Sequence, residues 1–228
     1  MKRKYYFIAL IVLWTLLAGM FIFEFVSSAQ EDRNIRSFIL QMVVCLLGIA
    51  SMIFSLLDLK KKHYRDIYFA GGCFWGAQKY FKLVKGVVAT EVGYANGNTE
   101  NPTYEQVYTD TTGYAECVRV TFDTYQTTVR RLTEKYFKAI DPTSLNQQGE
   151  DKGTRYRTGV YFIDDKEGDG SILKQVFEEQ ERIYGTLAVE LMPIKNFVRA
   201  EDYHQDYLDK NPDGYCHLSP EIFKNAAE

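Results

Sequence analysis

The stretch Gly71-Gly72-Cys73-Phe74-Trp75-Gly76 is the strongest indication of how this chain folds. It lies where an apolar, strand-like run, residues 67–70, gives way to a helix-like segment that begins near Phe74. A thiol at a helix N-terminus faces free N–H groups and the positive end of the helix dipole, which favour the thiolate. Glycines beside it allow a sharp turn and a close approach of substrate. We therefore predict that Cys73 is a nucleophile with a lowered pKa, the alternative being a small buried hydrophobe.

The composition is that of a globular protein with a substantial core. Of the 228 residues, 46% are hydrophobic and 15% aromatic. The formal net charge is -3 and the basic residues form no single patch, so the sequence gives no reason to expect nucleic-acid binding. The four cysteines show no close-set pair and no zinc-like spacing, which argues against a disulfide framework and a metal site. No cofactor is expected.

Residues 1–62 are predicted to form a two-span membrane hairpin. The spans, at about residues 5–26 and 38–57, each have roughly the 20 apolar residues that a bilayer crossing needs. Basic residues flank the two outer ends: Lys2, Arg3, Lys4, Lys60, Lys61, Lys62 and Arg65. The positive-inside rule then places both ends, and the domain that follows, in the cytoplasm. The alternative for the first span is a secretory signal with a cleavage site at Ser27-Ser28-Ala29.

Residues 63–228 have the pattern of one globular domain. Strands are predicted at 67–70, 87–93, 116–122 and 159–163, and helices at about 74–83, 128–140 and 172–184. The order βαββαβ predicts an α+β fold, a two-layer sandwich with a ferredoxin-like core. In this arrangement the helices pack on one face of a mostly antiparallel sheet.

The predicted strand at 116–122 places an acid among apolar side chains. Because side chains alternate across a strand, Glu116 shares a face with Val118, Val120 and Phe122. A carboxyl on an apolar face is costly to ionise, so its pKa rises and it can donate a proton near neutral pH. The alternative is that Glu116, at the end of the strand, reaches solvent.

Two later segments carry further polar or reactive groups. Residues 148–157 form a glycine-spaced polar loop in which Asp151 and Tyr156 are candidates to bind a polar substrate group, or are parts of an ordinary surface loop. Near the end, Asn211-Pro212-Asp213-Gly214 predicts a turn, and Cys216 follows it. A thiol in such a tail suggests a partner for a transient disulfide with Cys73.

Several motifs together resemble the A-type peptide methionine sulfoxide reductases. The stretch around Cys73 looks like the active-site signature of that family, and the likeness continues in order through residues 67–217. Its other motifs are Gly93-Tyr94, Asn101-Pro102-Thr103-Tyr104, Gly113-Tyr114-Ala115-Glu116, residues 151–157, Ala200-Glu201-Asp202-Tyr203-His204-Gln205 and Gly214-Tyr215-Cys216. The membrane hairpin is not part of the core that the family shares.

The resemblance implies roles for individual residues. In this family the match to Cys73 attacks the sulfoxide sulfur, and the match to Glu116 protonates the sulfoxide oxygen. The other implied roles are hydrogen-bond donors at Tyr94 and Tyr156, apolar walls around the S-methyl group at Phe74 and Trp75, and a further active-site residue at Asp151.

The resemblance also implies the course of the reaction. Methionine is released and Cys73 becomes a sulfenic acid. Cys216 matches a resolving cysteine that condenses with it to a disulfide, which a dithiol reductant such as thioredoxin opens by exchange. The implied substrate is the S-epimer of methionine sulfoxide in proteins and peptides, with free methionine sulfoxide as a further candidate. No cysteine follows Cys216, so a single resolving step is expected.

Two other functions fit parts of the sequence. A cysteine hydrolase or acyltransferase would use Cys73 as nucleophile and His204 as base. A membrane-tethered binding module would need no reactive thiol at all. Formation of a sulfenic acid on Cys73 would favour the reductase over both.

Overall fold

The computed structural model describes residues 2–27, 35–58, 63–163 and 168–227. The chain forms two compact units, residues 1–62 and 63–228, and each is described by itself. Three features of the sequence prediction lie outside the described residues: most of the loop between the two spans, Ser28-Ala29 of the alternative cleavage site, and the basic residues 60–62.

The first unit consists of two long helices, α1 (Lys2–Ser27) and α2 (Ile35–Asp58). Within them, Ile8–Ser27 and Ile35–Phe54 have a mean hydropathy of 2.3, and hardly any of their residues are buried. The helices contact each other where Phe25 stacks on Phe38, with ring centroids 4.1 Å apart, and where Gly48 faces the ring of Trp14. By length and composition both helices are candidates to cross a membrane.

The second unit is built on a six-stranded sheet in the order β7-β6-β1-β3-β2-β8. The strands are β1 (Tyr64–Ala70), β2 (Val87–Ala95), β3 (Ala115–Asp123), β6 (Gly159–Phe162), β7 (Glu190–Pro193) and β8 (Phe197–Arg199). The four central strands are antiparallel in the order β6-β1-β3-β2, which confirms the predicted βαββαβ core. The short strands β4 (Gln147–Gln148) and β5 (Asp151–Lys152) pair separately.

The sequence prediction missed the two edge strands. β7 pairs parallel to β6 and β8 antiparallel to β2, and they have only four and three residues. Runs this short, none of whose side chains is fully buried, carry little periodic signal. β8 matters for the site because it begins the segment that leads to residues 200–205.

The helices cover one face of the sheet. They are α3 (Phe74–Leu83), α4 (Tyr104–Tyr108), α5 (Val129–Ala139), α6 (Asp169–Tyr184), α7 (Tyr207–Lys210) and α8 (Pro220–Ala227). The main core lies between the sheet and α3, α5, α6 and α8, and alternate residues of β1, such as Ile67 and Phe69, point into it. Tyr68 and Ala70 belong to a smaller cluster on the other face. The period-2 alternation therefore assigns each strand residue to a face, as predicted.

Candidate active site

Cys73 lies at the junction of β1 and α3, where it is the N-cap residue of the helix. The chain turns at Gly72, whose φ of +73° favours glycine, and a Cβ there would lie 2.7 Å from the Cβ of Gln148. The thiol is free and 5% exposed. The predicted position of the nucleophile, at the start of a helix behind a glycine turn, is thus the one observed.

Glu116 lies beside this helix start. It is on the helix-covered face of β3, it is 2% exposed, and its Oε2 accepts a hydrogen bond of 3.0 Å from the backbone N–H of Phe74. Burial raises the pKa of Glu116 to about 8, against the opposing effect of that N–H. Glu116 therefore holds a proton at neutral pH and can donate it, and its side chain does not reach solvent.

The pKa of Cys73 is raised well above its ordinary value, which contradicts the sequence prediction of a lowered pKa. Burial is the main cause, and the nearby Glu116 adds to it, while the backbone N–H of Trp75 favours the thiolate by less. Cys73 does lie at the helix N-terminus as predicted, but desolvation of its sulfur raises the thiol pKa by more than the helix N–H groups lower it. In the resting site both the thiol and the carboxyl are protonated.

Three tyrosines lie close to this pair. Burial is the main cause that raises the pKa values of Tyr104 and Tyr156, the latter to about 12, and the charge of Glu116 contributes to both. Cys73 also raises the pKa of Tyr104, by less than burial and Glu116 do. Tyr94 is fully buried, and its hydroxyl donates a hydrogen bond of 2.7 Å to Oε2 of Glu201. The proton of the Tyr94 hydroxyl is therefore already engaged.

Phe74 and Trp75 form an aromatic surface beside the thiol. Phe74 is 1% exposed, and the Trp75 ring stacks on Tyr207 with centroids 3.8 Å apart. The indole N–H of Trp75 donates to Nδ1 of His204 at 3.1 Å. Burial of Phe74 and the contacts of Trp75 hold both rings in place.

The geometry does not support His204 as a base for Cys73. Its ring is 1% exposed and is surrounded by the rings of Phe74, Trp75, Tyr104 and Tyr203. Nδ1 already accepts the indole N–H, and burial lowers the pKa of the ring. Within the described part of the chain no hydrogen bond joins His204 to Cys73, so the hydrolase alternative lacks its central contact.

Asp151, on β5, stands between the first site and the C-terminal segment. Its charge raises the pKa values of Glu116, Cys73 and Cys216, although burial raises each of these pKa values by more. Cys216 is free and partly exposed, and its sulfur lies against Gly76 in the first turn of α3. The structure thus brings together every residue that the sequence singled out for the site. Cys117 is fully buried on the opposite face of the sheet.

Sequence reasoning assigned no role to three residues that shape the site. Tyr104 and Glu201 lie within the family-like motifs, but no local pattern showed that the two would meet. Arg155 is 8% exposed, pairs with Asp110 at 2.6 Å and stacks over the ring of Tyr156 at 4.4 Å. Among the described residues no group of three or more His, Cys, Asp or Glu side chains is arranged to hold a metal ion.

Comparison with known proteins places residues 65–228 in one family, whose model is described as peptide methionine sulfoxide reductase. The chain is 51% identical over 160 residues to the peptide methionine sulfoxide reductase MsrA of Clostridium acetobutylicum, which covers 70% of this chain and 98% of that relative. It is 50% identical over 155 residues to the MsrA of Mycoplasma pneumoniae, covering 68% of this chain and 98% of the relative.

Two solved structures share the fold. Methionine sulfoxide reductase A of Corynebacterium diphtheriae matches with a TM-score of 0.64 and 37% identity, covering 69% of this chain and 79% of that one. Reduced Mxr1 from Saccharomyces cerevisiae matches with a TM-score of 0.64 and 39% identity, covering 67% and 88%.

Proposed function

Because the chain belongs to the peptide methionine sulfoxide reductase family, we propose that residues 63–228 reduce methionine sulfoxide to methionine with Cys73 as nucleophile. The observation that carries this assignment is the set of groups that surround the Cys73 thiol. The thiol at the start of α3 adjoins a carboxyl, Glu116, that is protonated at neutral pH, and both lie beside the aromatic rings of Phe74 and Trp75.

In the first step the oxygen moves from the substrate to Cys73. The sulfur of Cys73 attacks the sulfoxide sulfur while Glu116 donates its proton to the sulfoxide oxygen, which makes that oxygen a better leaving group. Cys73 loses its thiol proton, which restores the proton on Glu116. The sulfur–oxygen bond of the substrate breaks as its hydroxyl passes to the Cys73 sulfur, and the transient bond between the two sulfurs breaks as methionine leaves. Cys73 becomes a sulfenic acid, its sulfur oxidised by two electrons and the substrate sulfur reduced by two, so atoms and electrons balance without a cofactor. The raised pKa of each group keeps both protons in place until substrate arrives.

Neighbouring side chains orient the substrate. Phe74 and Trp75 receive the S-methyl group, as the family resemblance implies. Tyr156 donates a hydrogen bond to the sulfoxide oxygen, and Tyr104, whose side chain interacts with both Cys73 and Glu116, does so in preference to Tyr94. Tyr94 and Asp151 act as supporting residues, the first through its hydrogen bond to Glu201 and the second through its charge.

In the second step Cys216 resolves the sulfenic acid on Cys73. Its sulfur lies against the first turn of α3, close enough to Cys73 for the two groups to interact electrostatically. Condensation with the sulfenic acid forms a Cys73–Cys216 disulfide and releases water. A dithiol protein such as thioredoxin then opens the disulfide by exchange. The substrates are oxidised proteins and peptides, in the S-epimer.

The reaction is tested with the full-length protein, dithiothreitol and the two separated epimers of a blocked methionine sulfoxide. We expect reduction of the S-epimer alone, and loss of that activity in Cys73→Ser. Cys117→Ala is the matched control, because it removes another buried thiol on the opposite face of the sheet. Reduction that persists in Cys73→Ser would contradict the role of Cys73, and release of an acyl group from a thioester would favour the hydrolase.

We further propose that α1 and α2 anchor the enzyme in a membrane, with both ends of the hairpin and the catalytic domain in the cytoplasm. The support is the length and hydropathy of the two helices and the basic residues that flank them in the sequence. Alkaline carbonate should leave the full-length chain in the membrane pellet. In sealed cells a membrane-impermeant thiol reagent should not label Cys216, and labelling there would reverse the orientation.

A further inference from the structure

The residue after Cys216 is a histidine whose ring is packed against the active-site turn. The side chain of His217 is 4% exposed. A Cβ placed on Gly72 would lie 3.1 Å from its Nε2, and one placed on Gly76 would lie 3.3 Å from its Nδ1. The same point on Gly76 is 3.1 Å from Sγ of Cys216. The imidazole and the resolving thiol therefore lie side by side, next to the loop that carries Cys73.

The nitrogens of this ring are buried and poorly paired. Among the described residues neither of its nitrogens has a hydrogen-bond partner of ordinary geometry, although the backbone of Gly71 lies close enough to raise the pKa of the ring, and Oδ2 of Asp151 also has no such partner. Nδ1 of His217 and Oδ2 of Asp151 face each other at 3.7 Å, and the Asp151 side chain is 11% exposed. A shift of about 1 Å would bring them to ordinary hydrogen-bond distance. Buried polar atoms left unpaired cost free energy, which calls for a role in another state of the molecule.

The second step of the proposed reaction needs such a group. Cys216 must lose its proton to become a nucleophile, yet burial raises the pKa of its thiol. The hydroxyl that leaves the sulfenic acid of Cys73 must gain a proton to depart as water. Glu116 is engaged with the backbone N–H of Phe74, whereas the His217 ring packs beside the Cys216 sulfur against Gly76.

Resting on the proposed function, we propose that His217 is the acid–base residue of the resolving step, with Asp151 stabilising its protonated form. His217 takes the thiol proton of Cys216 as the sulfur–sulfur bond forms. The sulfur–oxygen bond of the Cys73 sulfenic acid breaks, and the same proton passes to the departing hydroxyl, which leaves as water. The sulfenic sulfur is reduced and the thiol sulfur oxidised, so no further oxidant or reductant is needed.

The charges around the ring suit a base that works at neutral pH. The titratable groups near it are Asp151 on β5, Tyr215 and Cys216 on its own segment, and Cys73 at the start of α3. Burial lowers the pKa of His217 below its ordinary value, while Asp151 and the main chain of Gly71 oppose that shift. The ring is therefore neutral at pH 7, and it accepts a proton next to a carboxylate that favours the imidazolium.

The test separates the two steps in one experiment. Full-length protein in detergent micelles is mixed with one equivalent of blocked methionine sulfoxide and no reductant, and samples are quenched over time. Chromatography measures methionine, and mass spectrometry after dimedone trapping measures the Cys73 sulfenic acid and the Cys73–Cys216 disulfide. The variants are His217→Asn and His217→Gln, and His63→Asn, whose ring hydrogen-bonds Tyr125, is the matched histidine control.

We expect disulfide formation to slow roughly 10²-fold or more in both His217 variants, with accumulation of the sulfenic acid. Between about pH 6 and pH 9 the wild-type rate should change little, whereas the variant rate should rise with pH because it depends on ionisation of the Cys216 thiol. Methionine formed in the same samples shows that a variant is folded. One folded variant is enough for the test.

Two results would overturn the inference. One is a resolving rate equal to wild type in a folded variant, and the other is a slower rate that keeps the wild-type pH dependence, since that indicates a packing role. Absence of methionine from the wild-type reaction would overturn the proposed function and this inference with it.

Discussion

The chemistry of single residues here depends on where two protons reside. Glu116 and Cys73 are both buried, and the charge of an ionised Glu116 would raise the pKa of the Cys73 thiol further. An ionised carboxylate beside an ionised thiolate would be the least stable arrangement, so the site stores one proton on each group. A sulfoxide that takes up the proton of Glu116 leaves a carboxylate there, and this carboxylate can accept the thiol proton of Cys73. Substrate binding thereby triggers nucleophile formation.

The first prediction concerns the pH dependence of this proton donor. Because the pKa of Glu116 is about 8, the rate of methionine formation should fall as pH rises through about 8. Glu116→Gln keeps an acceptor for the Phe74 N–H but has no proton to donate, so the rate should fall roughly 10²- to 10⁴-fold and that pH limb should disappear. Single-turnover methionine formation measures both. A variant profile that matches wild type would rule out the donor role.

The same substitution, which lowers the rate, should raise stability relative to wild type as the pH increases. The unfolded chain ionises Glu116 near pH 4.5, whereas the folded chain does so near 8. The folded state therefore binds the extra proton between these values, and its contribution to the free energy of unfolding falls as pH rises through them. Urea unfolding at about pH 6 and about pH 9 should show Glu116→Gln gaining on wild type by more than about 1 kcal/mol. An unchanged difference between the two pH values would contradict the raised pKa.

Tyr104 and Tyr94 should respond differently to loss of the hydroxyl. Tyr104→Phe removes the proposed donor to the sulfoxide oxygen, so kcat/KM should fall by about tenfold or more, the effect of about 1.4 kcal/mol. Tyr94→Phe removes the bond to Glu201 instead, and should lower the free energy of unfolding by about 1 kcal/mol. Paired kinetic and unfolding measurements test this, and the reverse pattern would return the donor role to Tyr94.

At the scale of secondary-structure elements, one carboxylate joins the separate segments that build the site. Oε2 of Glu201 accepts from Tyr94 on β2, and Oε1 accepts from the backbone N–H of Tyr104 at 2.9 Å, at the start of α4. Although burial raises the pKa of Glu201, the bond from Tyr94 and the other hydrogen bonds lower it overall, so it is ionised. The start of the short helix α4 is thereby tied to β2 through Glu201.

Loss of this carboxylate should loosen α4. Glu201→Ala leaves the Tyr94 hydroxyl and the Tyr104 N–H unpaired, so we expect a loss of about 1–3 kcal/mol in the free energy of unfolding. Methionine formation should also slow, because Tyr104 is no longer held. Asp202→Ala is the matched control, since that neighbouring carboxylate is 89% exposed, and it should change stability by less than about 0.5 kcal/mol. Equal effects of the two substitutions would deny Glu201 this role.

How much of this the sequence revealed differs between elements and contacts. Alternation along β3 assigned Glu116 to the apolar face, and the glycine turn placed Cys73 at a helix start, because both patterns are local. The edge strands β7 and β8 were missed since they are too short to show a period. The meeting of Tyr104 with Glu201, and of His217 with Asp151, depends on how distant segments pack, and no local pattern encodes it. The predicted lowering of the Cys73 pKa was wrong for the same reason, because burial is a property of the folded domain.

At the scale of the whole molecule, the two units have separate origins of stability. Residues 63–228 enclose their own core and contain every residue assigned to the site. The relatives from Clostridium acetobutylicum and Mycoplasma pneumoniae match over 98% of their length, and the family match begins at residue 65. The second unit alone therefore matches nearly the full length of these relatives.

The final prediction follows from that separation. A fragment of residues 63–228 should fold and reduce a short peptide containing methionine sulfoxide with a kcat/KM within a factor of about two of the full-length chain, a difference under about 0.5 kcal/mol in barrier. The reason is that the substrate contacts proposed above all come from the second unit. Steady-state rates with dithiothreitol, measured for both proteins in the same detergent, provide the comparison. If a folded fragment lost more than about tenfold, the first unit would contribute to the site itself, and its helices would have to be regarded as more than an anchor.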